Sequence, residues 1–207
     1  MSKHTKHIST ALIIIGVLMI AGCAALVWYN YDRSNEAKKS ADKLEQQVES
    51  AIAQGERDSS SAKDSSSAPA IEATKKHMPV VEVDGYDCIG YLTIPSIDLK
   101  MPVINTYSDY NLNIAPCRYY GSLETDDLVV AGHNFPSGFE KLKQLKNKDT
   151  VQFTNMNGET YTYRVEETEM LKPSDVTEMV ESNYELSLYT CNFSGSERFT
   201  VRCRWVE

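Results

Sequence analysis

The sequence predicts a mostly β domain, an antiparallel barrel or sandwich, carried behind a single N-terminal membrane span. Three observations carry that expectation. Residues 11–28 form an unbroken apolar run without a charge, just long enough to cross a bilayer core with help from flanking residues. From residue 79 onward, short β-type runs recur between turn residues, with one short helix candidate over 139–145. Asn157-Gly158 separates the run 151–154 from the alternating Tyr161, Tyr163 and Val165, which is the pattern of a tight hairpin.

The N-terminal elements follow in order. Lys3 and Lys6 precede the apolar run, whereas Asp32, Arg33 and Glu36 are mixed after it. The positive-inside bias therefore makes residues 1–10 a cytoplasmic tail, 11–31 an anchor, and everything beyond extracellular. Two other readings exist for this segment, a cleaved signal peptide and a lipoprotein signal, because Ile20-Ala21-Gly22-Cys23 is lipobox-like. Against both, the apolar run continues through Ala24, Ala25, Leu26, Val27 and Trp28.

Residues 32–78 are expected to form a helical, then Ser-rich, linker. Ala37, Ala41, Leu44, Val48 and Ala51 alternate spacings of four and three, a helical stripe about two heptads long. It reads as a solvated stalk, with weak self-association as the alternative. The Ser-rich stretch 59–67 lacks branched or aromatic apolar residues and reads as a flexible tether.

Residues 79–207 are numerous enough for one domain with its own core. They carry 11 Lys plus Arg against 20 Asp plus Glu, an acidic balance that argues against nucleic acid as a partner. The domain is expected to be monomeric. Runs at 91–94, 128–131 and 151–154 read as strands. In the last two strands, alternation puts Leu186 and Leu188 on one face and Ser187, Tyr189 and Cys191 on the other. After a turn at 192–196, Phe199, Val201, Cys203 and Trp205 alternate with Arg198, Thr200, Arg202 and Arg204. Folded as a hairpin, these strands bring Cys191 and Arg198 to the same end.

His133 closes the apolar run 128–131, with Gly132 before it offering backbone freedom. It reads either as a displayed functional side chain or as an ordinary hydrogen-bonded loop histidine. Of five cysteines, Cys23 lies in the span. Cys88, Cys117 and Cys203 read as structural or free thiols, with a Cys88–Cys117 bridge as the alternative permitted outside the cell. Cys191 differs, because it ends a strand beside a turn. A thiolate is the nucleophilic form, and His133 and Arg198 are the positive groups available to support one.

In order along the chain, Gly90-Tyr91-Leu92-Thr93-Ile94-Pro95-Ser96-Ile97 with Met101-Pro102-Val103, then Ala131-Gly132-His133-Asn134, Leu188-Tyr189-Thr190-Cys191 and Arg198-Phe199-Thr200-Val201 resemble the sortases. These are membrane-anchored cysteine transpeptidases of Gram-positive surfaces. The resemblance covers roughly residues 86–206 and rests on four ordered motifs. It implies a closed eight-stranded sortase-type β-barrel, with Cys191 as nucleophile, His133 as general acid/base and Arg198 as the group that holds substrate and steadies the oxyanion. It further implies cleavage of an LPxTG-like sorting signal through a thioester on Cys191, and transfer to an amine of a cell-wall precursor without a metal or organic cofactor.

Within the family, none of the seven prolines follows an aspartate, and no second apolar span is found. That points away from a pilin polymerase and towards a class A-like or class D-like enzyme. Calcium binding by Glu124, Asp126, Asp127 and Glu181 is conceivable, but a solvated surface is the preferred reading, as it is for Arg202 and Arg204. A catalytically silent peptide-binding module and a hydrolytic cysteine protease stay open as alternatives.

Overall fold

The structure, a computed structural model, describes residues 3–61, 76–192 and 194–206. The chain divides into two compact units, one ending at Glu36 and one beginning at Ala37. Helix α1, Lys3–Ser61, contributes to both. In the first unit its apolar residues, among them Ile13, Leu18, Ile20, Val27 and Trp28, are exposed. Among the described residues α1 is the one helix long and apolar enough to cross a membrane, with a mean hydropathy of 2.1 over its most apolar window. An apolar surface of this kind suits lipid rather than water. Part of the Ser-rich stretch belongs to α1 up to Ser61, and the rest of the expected tether lies outside the described residues.

Among the described residues, the second unit holds nine strands. They are β1 Val81–Val83, β2 Tyr86–Ile94, β3 Leu99–Ile104, β4 Cys117–Tyr120, β5 Leu128–Gly132, β6 Thr150–Asn155, β7 Thr160–Leu171, β8 Leu186–Cys191 and β9 Arg198–Val206. Two short helices, α2 Asp109–Leu112 and α3 Val176–Val180, interrupt them. The expected helix over 139–145 is a 3-10 segment, Phe139–Gln144. Eight strands close into a barrel in the order β2-β3-β4-β5-β8-β9-β7-β6, with β6 returning to β2. β1 is a ninth, short strand paired with the start of β2. Pairing is antiparallel except for β3–β4 and β5–β8. The predicted hairpin at Asn157-Gly158 joins β6 to β7, with Thr154 opposite Thr160.

Closure depends on one close approach. Gly90 sits at a bulge in β2 with φ of 141°, and a Cβ there would stand 2.0 Å from the Thr154 carbonyl oxygen of β6. Only a residue without a side chain lets β6 seal the barrel at this point. Inside, Leu92, Val130, Phe153, Tyr163, Leu188 and Val201 belong to one buried cluster, as the alternation of their strands dictates.

The second part of α1 is not a solvated stalk. Ala41, Leu44, Val48 and Ile52 are buried, Val48 completely, and the last three pack with Val83, Cys88, Ile104, Cys117 and Met156 on the outside of the barrel. Lys43 pairs with Asp84 at 2.8 Å, and Lys100 with Glu45 at 3.7 Å and with Glu49. The cause lies in β2, β3 and β4, whose outward row Cys88–Ile104–Cys117 is apolar and needs a cover. The same row settles the thiols. Cys88 and Cys117 are separated by the whole of β3, roughly twice the 4.8 Å strand spacing and beyond disulfide reach, and every cysteine is free.

Candidate active site

Strand register assembles the site from three ends. β5 runs parallel to β8 with Gly132 beside Thr190, so His133, which follows β5, and Cys191, which ends β8, reach the same edge of the sheet. β8 and β9 are antiparallel, and their last pair before the turn is Cys191 with Arg198. All three side chains are half-buried. The hydrogen bond from Asn134 Nδ2 to the Asn192 carbonyl, 3.3 Å, ties the histidine loop to the cysteine turn. That turn is closed by Asn192 N donating to the Glu197 carbonyl at 2.8 Å.

The histidine emerges here for a reason other than backbone freedom. Gly132 has no unusual φ; its Cα is covered by the buried Phe139 ring, which a Cβ would meet at 2.4 Å. The His133 ring lies 4.8 Å from that of Phe135. A shallow pocket opens on this side of His133, lined also by Met101, Leu112, Phe135 and Phe139 and by Ala37 and Lys38 of α1. Neither Cys191 nor Arg198 lines it, so it flanks the histidine rather than containing the cysteine.

Arg198 stands against aromatic faces. Its guanidinium carbon is 5.2 Å from the Tyr189 ring centroid and 5.9 Å from that of Tyr119. Tyr119 meets Tyr189 edge to face at 5.3 Å and Tyr107 at 5.2 Å. Nη1 of Arg198 is buried and has no hydrogen-bond partner among the described residues, which leaves a strong donor waiting for an acceptor. Burial, and next to it the Tyr107 phenol, hold the Tyr189 phenol well above its ordinary pKa, against a downward pull from Arg198.

The other thiols are unlike Cys191 in their surroundings. Burial pushes Cys88 and Cys117 up to about 12, and the fully enclosed Cys203 upward as well. These three are held as neutral SH groups at any working pH, which suits packing rather than attack.

The two arginines read as solvated part company. Arg204 is half-buried and paired with Glu166 at 2.9 Å and Glu185 at 3.5 Å. Arg202 is 2% exposed, because α3 and the chain around it fold over that face of β9. It donates to Glu169 at 2.6 Å, to Ser187 Oγ at 2.8 Å, and to the Glu178 and Met179 carbonyls at 2.6 and 3.1 Å. Strand alternation identified its face correctly; the covering segment was not legible.

Of the acidic residues considered for calcium, Glu124 accepts from the Met78 N–H at 2.7 Å, Asp127 from the Ser122 N–H at 3.1 Å, and Asp126 pairs with Lys76. Glu181 is exposed. Three of the four, all in the loop before β5, thus have structural partners.

A family model described as the sortase domain matches residues 92–206. Among solved structures, this chain is similar to sortase C of Streptococcus pneumoniae, with a TM-score of 0.56 at 20% identity, covering 82% of this chain and 97% of that one. It is also similar to the sortase D5 transpeptidase of Clostridium perfringens, with a TM-score of 0.54 at 14% identity and coverage of 82% and 98%. Sortase C of C. perfringens, solved with the C-terminal cell wall sorting motif, gives 0.52 at 18% identity with coverage of 87% and 99%. At these identities the likeness is one of fold. No curated protein matches at the sequence level.

Proposed function

This chain belongs to the sortase family, and on that premise we propose that it is a cysteine transpeptidase, with Cys191, His133 and Arg198 as its catalytic residues, cleaving an LPxTG-like sorting signal of exported proteins. The observation that carries the reading is the convergence at one barrel edge. A thiol and a guanidinium form a register pair, and an imidazole follows the strand directly beside the thiol.

In the proposed reaction the Cys191 thiolate attacks the carbonyl carbon after the signal's threonine, and the carbonyl oxygen becomes an oxyanion. Arg198, permanently charged, donates N–H bonds to it. Collapse breaks the C–N bond while His133 protonates the departing amine, leaving a thioester on Cys191. An amine of a cell-wall precursor then attacks the thioester, His133 takes its proton, and the thiolate leaves as the new amide forms. No step calls on a metal or organic cofactor. The apolar part of α1 supports anchoring in the membrane with the N-terminus inside and the barrel outside, where the tether raises the effective concentration of enzyme at its lipid-linked acceptor.

The C. perfringens sortase C structure with the C-terminal cell wall sorting motif supports a sorting signal as the substrate class. That none of the seven prolines follows an aspartate supports a class A-like or class D-like enzyme over a pilin polymerase. Covalent trapping tests the reading. Full-length protein in detergent is mixed with an LPxTG peptide panel and examined by mass spectrometry for an acyl adduct on Cys191. The adduct is expected to vanish in Cys191→Ala, and product to shift from acid to amide when triglycine or a diaminopimelate-type amine is added. No adduct with any peptide would point to a silent binding module, and products indifferent to amines would point to a hydrolase.

A further inference from the structure

We infer that Tyr119 and Tyr189 are positioning residues that hold the Arg198 guanidinium by cation–π contact and so keep its N–H donors free for a substrate oxygen. The inference rests on the proposal that Arg198 acts in catalysis. An arginine poised at a reaction centre must be immobilised, and a carboxylate partner would do so by consuming its donors and offsetting its charge. No ion pair involving Arg198 is found among the described residues, whereas Arg202 and Arg204 on the same strand are both held by carboxylates. Two ring faces, at 5.2 and 5.9 Å from its guanidinium carbon, hold Arg198 instead. A π face attracts the cation without the strong acceptor oxygens and the opposing charge of a carboxylate, and the partnerless Nη1 is what such a holder leaves behind.

The fold builds this platform from separate strands. Tyr189 shares the Cys191 face of β8, two residues back. Tyr119 occupies the irregularity between Arg118 and Tyr120, where β4 shifts its register against β5. Between β4 and β8 lies Ala131, paired with Tyr189 and too small to keep the two rings apart. Tyr107 then packs edge to face against Tyr119, fixing its plane.

The test uses full-length protein in detergent with 15N-labelled arginine. The Arg198 Nε–Hε signal, assigned by its loss in Arg198→Lys, is expected upfield from ring currents. Tyr119→Leu should move it towards the free-arginine position, and Tyr119→Phe, which keeps the ring, should restore it. Turnover of an LPxTG peptide with triglycine should fall about threefold to thirtyfold in Tyr119→Leu, in kcat more than in KM, and recover in Tyr119→Phe. Tyr119 is half-buried and is the safer site; Tyr189, 3% exposed, is tested as Tyr189→Phe, which should retain the shifted signal. An Arg198 signal unchanged by Tyr119→Leu would overturn the inference. Full turnover in Arg198→Ala would instead overturn the catalytic reading of Arg198, and the shifted signal would then stand as a platform serving another role.

Discussion

Cys191 stands directly opposite Arg198 across the β8–β9 ladder, in the last pair before the turn. Cross-strand partners of this kind hold their Cβ atoms roughly 5 Å apart. The spacing between the roots of the two side chains is therefore a property of the backbone ladder, so either side chain can be replaced without displacing the other's backbone. Arg198→Ala should accordingly lower kcat for peptide cleavage by about 100- to 1,000-fold, the usual cost of losing an oxyanion donor, with a smaller change in KM. Arg198→Lys should recover only part, since an ammonium lacks the planar fork. Steady-state kinetics with an LPxTG peptide checks both variants.

Thiol chemistry should separate the cysteines. In a Cys23→Ser background, an alkylating reagent at pH 7 to 9 is expected to modify Cys191 alone, with Cys88, Cys117 and Cys203 labelled only after unfolding in guanidinium. Peptide mapping by mass spectrometry reads the result. Rapid native labelling of Cys88 or Cys117 would contradict their burial beneath α1.

The same burial makes stability pH-dependent on the alkaline side. Cys88 and Cys117 sit at about 12 when folded and near 8.5 when unfolded. Between those values the folded state binds more protons than the unfolded one, so stability falls as pH rises. The contribution is fully present below about 8.5 and lost through about 12. Thermal unfolding midpoints measured from pH 8 to 11 should decline, and less steeply in Cys117→Ala than in wild type.

Arg202 is expected to be a stability residue. Arg202→Met leaves the Glu178 and Met179 carbonyls and Ser187 Oγ without their shared donor, while the Glu169 carboxylate, 36% exposed, keeps water. Orphaning buried acceptors in this way costs about 1–3 kcal/mol. Urea unfolding measures that loss. Limited proteolysis should at the same time cut the β7–β8 connection, residues 172–185, faster than in wild type.

The helix contact is tested by one pair of variants. Leu44→Ala should destabilise the second unit by about 2–5 kcal/mol, because Leu44 is 2% exposed against the barrel, whereas Gln46→Ala at an exposed position should change it by less than about 0.5 kcal/mol. Equal, small effects on the thermal midpoint would restore the solvated-stalk picture.

Much of the site was legible because its three members end strands whose alternation is strong. Leu186 and Leu188 point inward and Cys191 outward, as their spacing requires, and Arg198 follows a short turn that leaves little choice of partner. His133 was legible as the end of an apolar strand, although the need for Gly132 arises from the Phe139 ring and not from the backbone. The short strands β1 and β4 carry too few residues for a period, and Tyr119 owes its direction to an irregularity that no spacing announces. Arg202 was misjudged for a related reason: alternation assigns a residue to a face, and says nothing of what later folds over that face.

The linear order of residues was sufficient to establish the membrane-length apolar helix, the hairpin at Asn157-Gly158, the two faces of β8 and β9, and the resemblance that joined Cys191, His133 and Arg198. These depend on periodicity and on contacts between neighbouring strands. Tertiary structure alone decided that α1 caps the Cys88–Ile104–Cys117 row, that Arg202 is buried, and that Arg198 rests on tyrosine faces from β4 and β8. Each of those depends on surfaces distant in the chain meeting in space, where the area removed from water and the polar groups left to be paired are set by the assembled barrel and not by any local pattern.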